Sequence, residues 1–207
     1  MKDIFLDELS PSAEDTSRLD RYEPRAAVGP EFQGEDPSEV IVELCKQFYT
    51  QGWVSGTGGG ISIRRQGQVW LAPSGVQKER LSVHDIFVLD EAGKVLQHPM
   101  NPSLRQSQCK PLFYRAFVAR DAGAVIHSHS LNAMLVTLLV DRELHITRLE
   151  MLKGLRGVGF DDDHVVPVID NTAQECDLAD ALGEAIAAYP KSHAVLVRRH
   201  GVYVWGR

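Results

Sequence analysis

A chain of 207 residues, 43% hydrophobic and 24% charged, is long enough for one sizeable core and has the composition of an ordinary globular domain. No stretch approaches the roughly 18 consecutive apolar residues of a membrane span. The net charge of −6 comes without a concentrated basic patch, so neither a membrane nor a nucleic acid is expected as a partner. The acidity sits in residues 1–38, with ten acids against four bases. That acid content, and the lack of an apolar signal core, argue against a targeting peptide and point to a cytoplasmic protein. Cys45, Cys109 and Cys176 are widely spaced and odd in number, which is no disulfide framework.

Residues 1–37 are rich in Pro, Ser, Asp and Glu and read as a disordered acidic arm, with a single domain over 38–207. Ser38 is placed to cap a helix whose Val40, Ile41, Leu44 and Phe48 form one stripe, stopped by Gly52. Four of the five residues from Gly56 to Gly60 are glycine, which lets backbone approach a ligand closely and lets bare N–H groups form an anion nest. No Gly-Lys-Ser/Thr follows, so this is not a Walker loop. Strands are expected at Ile61–Arg65 and Gln68–Ala72 around the turn Gln66-Gly67, and at Ile86–Asp90 and Val95–Leu96 around Ala92-Gly93. Between them, Ala72-Pro73-Ser74-Gly75 is a turn with a hydroxyl, followed by Lys78 and Arg80; an ordinary exposed turn explains it equally well.

Pro111 opens a helix bearing Leu112, Phe113, Ala116 and Phe117. The run Ala124-Val-Ile-His-Ser-His129 follows. On a strand, residues two apart share a face, so His127 and His129 bring two imidazoles together, just ahead of a helix that Ser130 would cap over Leu131–Val140. Val165–Ile169 reads as a strand at an edge or bulge because of Pro167, and Thr172-Ala-Gln-Glu175 as a capping box opening a helix. Ala194–Val197 and Val202–Trp205 close the chain as strands flanking Arg198-Arg199-His200-Gly201. Taken alone, His127 and His129 are as readily satisfied core histidines as ligands, and Glu150 is one acid among many. With His200 they make three imidazoles, a set that suits Zn²⁺ with one position left open.

Several strings in order carry a resemblance. They are Gly56-Thr-Gly-Gly-Gly-Ile-Ser62, Ala72-Pro-Ser-Gly-Val-Gln-Lys-Glu-Arg80, Ser107-Gln-Cys109, Gly123-Ala-Val-Ile-His-Ser-His129, Glu150-Met with Lys153-Gly154, and Ala194 through Gly206. From about residue 38 onward the chain resembles the methylthioribulose-1-phosphate dehydratase family of the class II aldolase/adducin superfamily. The resemblance implies a three-layer α/β/α fold around a mixed, largely antiparallel sheet. It makes His127, His129 and His200 ligands of one Zn²⁺ per subunit, Glu150 the catalytic acid/base and Cys109 a substrate contact. Gly58, Gly59, Gly60, Ser74 and Gly75 fall where the superfamily holds a substrate phosphate. The substrate implied is a small phosphorylated ketose of methionine salvage, dehydrated by a homo-tetramer.

Family members continue past the terminal Trp-Gly with helical sequence, so a C-terminal helical part is expected to be missing from a chain ending at Arg207. Two other functions stay open on the sequence. A class II sugar-phosphate aldolase would use the same metal chemistry, and a non-catalytic protein-binding member would need none.

Overall fold

The computed structural model describes residues 35–207, so all but the last three residues of the expected arm lie outside the described region. Its elements are organised by nine strands in a single sheet, β1 (Gly60–Arg65), β2 (Gln68–Leu71), β3 (Phe87–Asp90), β4 (Val95–Gln97), β5 (Ala124–Ser128), β6 (Glu143–Ile146), β7 (His164–Ile169), β8 (Ala194–Val197) and β9 (Gly201–Gly206). The order across the sheet is β4-β3-β2-β1-β5-β9-β8-β7-β6, and every neighbouring pair is antiparallel except β7 with β8.

Among the described residues four helices cover the sheet: α1 (Pro37–Thr50), α2 (Lys110–Arg120), α3 (Leu131–Val136) and α4 (Ala179–Ala188). Strand alternation sorts them onto two faces. Val125, Val195, Val197, Tyr203 and Trp205 turn to Leu112, Phe113 and Phe117 of α2 and Leu182 and Ile186 of α4. The opposite face carries Ile61 and Ile126 against Ile41, Val42, Cys45 and Phe48 of α1, and Leu196 and Val202 against Ala133 and Val136 of α3. The result is the three-layer α/β/α arrangement with a mixed, mostly antiparallel sheet. Among the described residues no helix is long and apolar enough to cross a membrane.

The local signals held in most places. Gln66 and Gly67 both have positive φ, 50° and 76°, as a two-residue hairpin turn requires. Gly52 at φ 69° ends α1. Four expectations are corrected by the structure. Asp36, not Ser38, caps α1, its carboxylate accepting from Ser38 N at 2.7 Å, because Pro37 occupies the first helical position.

The helix after His129 stops at Val136 rather than Val140. The Arg198 guanidinium takes the carbonyls of Thr137 and Val140 at 3.1 and 3.3 Å, satisfying its end from a distant strand turn. Thr172 and Glu175 form no capping box. Thr172 Oγ1 donates to Gln174 O, a 3₁₀ turn spans Glu175–Leu178, and α4 begins only at Ala179. Finally, the strand holding Pro167 is not an edge. β6, which sequence patterning did not reveal, lies outside it, and the pairing of β7 with β8 starts at Val168, past the missing N–H.

Candidate metal centre

β5 and β9 run side by side in the middle of the sheet, with His127 directly opposite Tyr203. The two rings stack at 4.1 Å between centroids and 10° between planes, and both residues are fully buried. His129 stands two residues on, just past the end of β5, and His200 occupies the turn between β8 and β9. That turn is held at several points. Arg199, at φ 55°, donates its N–H to Thr137 Oγ1 at 2.8 Å, and Arg198 reaches Asp170 at 3.0 Å. A Cβ on Gly201 would overlap Ser128 O, so only glycine lets this turn lie against the strand that carries the other two histidines.

The three Nε2 atoms lie 2.9, 3.1 and 3.2 Å from one another. His127 Nδ1 faces Val202 O at 3.2 Å, a pure acceptor, so Nδ1 carries a proton and Nε2 is the ring nitrogen turned to the centre. His200 Nδ1 faces Asn171 Oδ1 at 3.1 Å and takes the same tautomer. Burial, then the neighbouring His127 and His200, lower the His129 pKa to about 4, and burial followed by His127 lowers that of His200. Three ring nitrogens this close together have little to offer one another. They suit a divalent cation, whose ligand nitrogens at about 2.0–2.1 Å would be spaced by about 3.3 Å around a tetrahedron.

A fourth group joins them. Glu175 Oε1 lies 2.8 Å from His127 Nε2 and accepts the Tyr203 hydroxyl at 2.7 Å. Among the described residues, the ligand atoms of His127, His129, Glu175 and His200 gather within 4.8 Å of one another. Burial would raise the Glu175 pKa, but His127 and the Tyr203 hydroxyl outweigh it and hold the carboxyl at about 2. The same burial keeps Tyr203 protonated. Sequence reasoning missed Glu175 because Thr-x-x-Glu is a plausible helix cap. The signal that could have found it is its position just beyond the carboxyl end of β7, on the same side as the His200 turn.

The other expected site residues divide into two groups. Cys109, at the start of α2, is brought to the centre. It is 2% exposed, its thiol meets Glu175 and Tyr203, and burial pushes its pKa up to about 12, which makes it a neutral group and no nucleophile. Gly58 and Gly59 also lie against the histidines. A Cβ on Gly58 would meet the His129 ring, its Cε1 at 2.6 Å, and one on Gly59 would come within 2.9 Å of His127 O. Gly60 abuts Phe113 and Cys109. These glycines therefore have a packing reason beside the anion nest.

Ser74 and Gly75 form a separate turn, with Ser74 bridged to Arg105 and Gly75 at φ 70° in open space. Glu150 stands apart. It opens a 3₁₀ turn, its side chain is 74% exposed, and its carboxylate pairs with Lys153 at 3.0 Å.

The family model for the class II aldolase and adducin N-terminal domain matches residues 39–207. The chain belongs to the class II aldolase and adducin family. Within it, the chain is 52% identical over 184 residues to a protein of Dictyostelium discoideum named a probable methylthioribulose-1-phosphate dehydratase, covering 84% of this chain and 80% of that one. It is likewise 52% identical over 181 residues to the Homo sapiens methylthioribulose-1-phosphate dehydratase, covering 83% and 74%. Among solved structures, l-fuculose-1-phosphate aldolase of Thermus thermophilus shares the class II aldolase fold with a TM-score of 0.62 at 24% identity, over 82% of this chain and 78% of that one.

Proposed function

We propose that the chain is a zinc-dependent hydro-lyase. It would convert 5-methylthioribulose 1-phosphate to 2,3-diketo-5-methylthiopentyl 1-phosphate, a step of methionine salvage, in the cytoplasm. The observation that carries the reading is the convergence of His127, His129 and His200, Nε2 atoms about 3 Å apart, in a chain 52% identical to relatives named for that reaction.

The reaction removes a proton from carbon 3, beside the ketone, and expels the carbon 4 hydroxyl. A Zn²⁺ held by the three histidines supplies Lewis acidity, which stabilises negative charge developing next to a carbonyl. The protein's own groups do the rest. Val202 O and Asn171 orient two of the imidazoles, and the Gly58 backbone gives the His129 ring its space. Glu150 is the residue assigned to move the proton, a role that requires its carboxylate to leave Lys153 for a drier setting. Cys109, neutral and buried, packs against the substrate and helps exclude water. Gly58–Gly60 and the Ser74-Gly75 turn hold the phosphate through backbone N–H groups and a hydroxyl. The assembly proposed is a homo-tetramer, and Leu149 and Met151 beside Glu150, 53% and 75% exposed, are apolar surface that association would cover.

The test is dehydration of 5-methylthioribulose 1-phosphate by the purified chain, with metal measured on the same sample. Release of a diketone together with one zinc per chain is the expected result. Release of a small aldehyde would assign the chain to carbon–carbon cleavage instead, and a folded chain without stoichiometric metal or turnover would overturn the reading.

A further inference from the structure

Lysine ordinarily keeps its ammonium in water, yet Lys78 is 2% exposed. Its Nζ donates to Thr57 O at 3.0 Å and Val76 O at 3.2 Å. An ammonium has three N–H donors, so one is left over, and a carbonyl offers a partial charge in place of a full one. Among the described residues no carboxylate forms an ion pair with Lys78. A buried cation in that condition is costly unless something supplies the counter-charge.

Among the described residues, none of the groups around it pairs with it. Burial pushes the thiols of Cys45 and Cys109 up to about 11 and about 12, so both are neutral. Glu175 is engaged by Tyr203 and His127. Glu79, the next residue, has one oxygen 3.9 Å from Arg80 and the other buried without a hydrogen-bond partner. Burial lowers the Lys78 pKa, and the more distant charges of Glu175 and Glu79 act in the opposite sense.

The two acceptors lie in segments where an anion is proposed to bind. Thr57 belongs to the glycine loop ahead of β1, and Val76 follows the Ser74-Gly75 turn. These are the two segments assigned to the substrate phosphate, 21 residues apart for Lys78 and Thr57, and the lysine ties one to the other. Gly75 leaves open space where a side chain would stand, which gives a bulky anion room to approach.

We propose that Lys78 is a positioning residue for a phosphate monoester, fixing the Gly58–Gly60 loop and the Ser74-Gly75 turn at one separation and holding its ammonium against both. The phosphate dianion is the counter-charge that the buried ammonium lacks. This inference rests on the phosphate-cradle part of the function proposed above.

The experiment compares Lys78→Met and Lys78→Arg with the metal-loaded wild-type chain, using inorganic phosphate as probe and calorimetry as readout. Lys78→Met is expected to weaken phosphate binding at least tenfold and raise KM for the phosphorylated substrate by a similar factor. Metal content and kcat should stay within about threefold, and Lys78→Arg should restore most of the affinity. A folded, metal-bound Lys78→Met chain that binds phosphate as tightly as wild type overturns the proposal, as does Lys78→Arg losing as much as Lys78→Met.

Should Lys78→Met fail to fold, wild-type chain labelled with ¹³C at lysine Cε gives the second measurement. The buried lysine's resonance should shift on saturation with phosphate, and an unmoved resonance overturns the idea. A chain that binds phosphate through Lys78 but does not dehydrate 5-methylthioribulose 1-phosphate keeps this inference and sinks the reaction. Dehydration with no phosphate response at Lys78 does the reverse.

Discussion

Two glutamates, one at the histidines and one proposed as the proton carrier, meet opposite surroundings. Glu150 follows a loop, opens a short 3₁₀ turn, lies 74% exposed and is neutralised by Lys153 three residues on. Glu175 also opens a 3₁₀ turn, but that turn leads into α4 beyond the carboxyl end of β7, and its carboxylate meets Tyr203, His127 and Cys109. Both are the same residue in the same kind of local structure. The difference lies in what the fold packs around them. The buried carboxylate is locked in one place and held ionised, fit to fix a cation or a ring. The exposed one is held only by Lys153 at the surface, and its proposed role needs it to change partners.

The largest expected effect breaks the buried side outright. His129→Ala should leave less than a tenth of the wild-type metal content by elemental analysis and cut turnover by about a thousandfold or more, since two imidazoles do not hold the ion. Retained metal with retained turnover would dissolve the centre as described. On the exposed side, Glu150→Gln should lower kcat by about a hundred- to ten-thousandfold, the range for a lost general acid/base. Its metal content should be unchanged and its stability within about 0.5 kcal/mol of wild type, as for a surface substitution. Loss of metal in that variant would erase the contrast.

Acid should separate the two further. His129 has a folded pKa of about 4 against an ordinary 6.5. Between those values the unfolded chain binds the additional proton, so the metal-free protein should lose stability as pH falls from 6.5 to 4, by about 3 kcal/mol at most. Denaturation midpoints across that window would show a flattened slope in His129→Asn. The smallest effect is the sharpest comparison. Glu175→Gln keeps the Tyr203 hydrogen bond but removes the charge, and should weaken metal affinity about ten- to a hundredfold by competition against a chelator, as loss of a supporting group does. Equal affinities for Glu175→Gln and Glu150→Gln would show that burial does not distinguish the two acids.

Strand parity made the His127–His129 pair legible, because a two-residue period on a strand leaves no choice of face. Turn chemistry did the same for Gln66-Gly67, where both residues have to accept positive φ. Signals failed where a distant element overruled the local one. The end of α3 depends on Arg198, some sixty positions away, and no pattern within 131–140 encodes that. Thr172 to Glu175 spells a capping box, but the cluster of histidines draws Glu175 inward and the cap is never made. β6 is four residues of mixed character, Glu-Leu-His-Ile, too short for alternation to declare itself. Lys78 looked like a solvated charge beside Arg80 because sequence shows residue type but not depth. The roles of Glu150, Ser74 and Gly75 came from resemblance, and the solitary chain does not gather them around the histidines.

The contact of Gly201 with Ser128 O brings His200 against a strand 73 positions earlier in the chain. An ion gripping His127 and His200 together would behave as a reversible cross-link closing that long loop. Ordering a loop of this length costs the unfolded chain several kcal/mol of freedom, much as a disulfide does. Metal affinity and resistance to unfolding would then be two readings of one quantity, so chelation should lower the melting temperature by an amount that tracks the free-metal concentration.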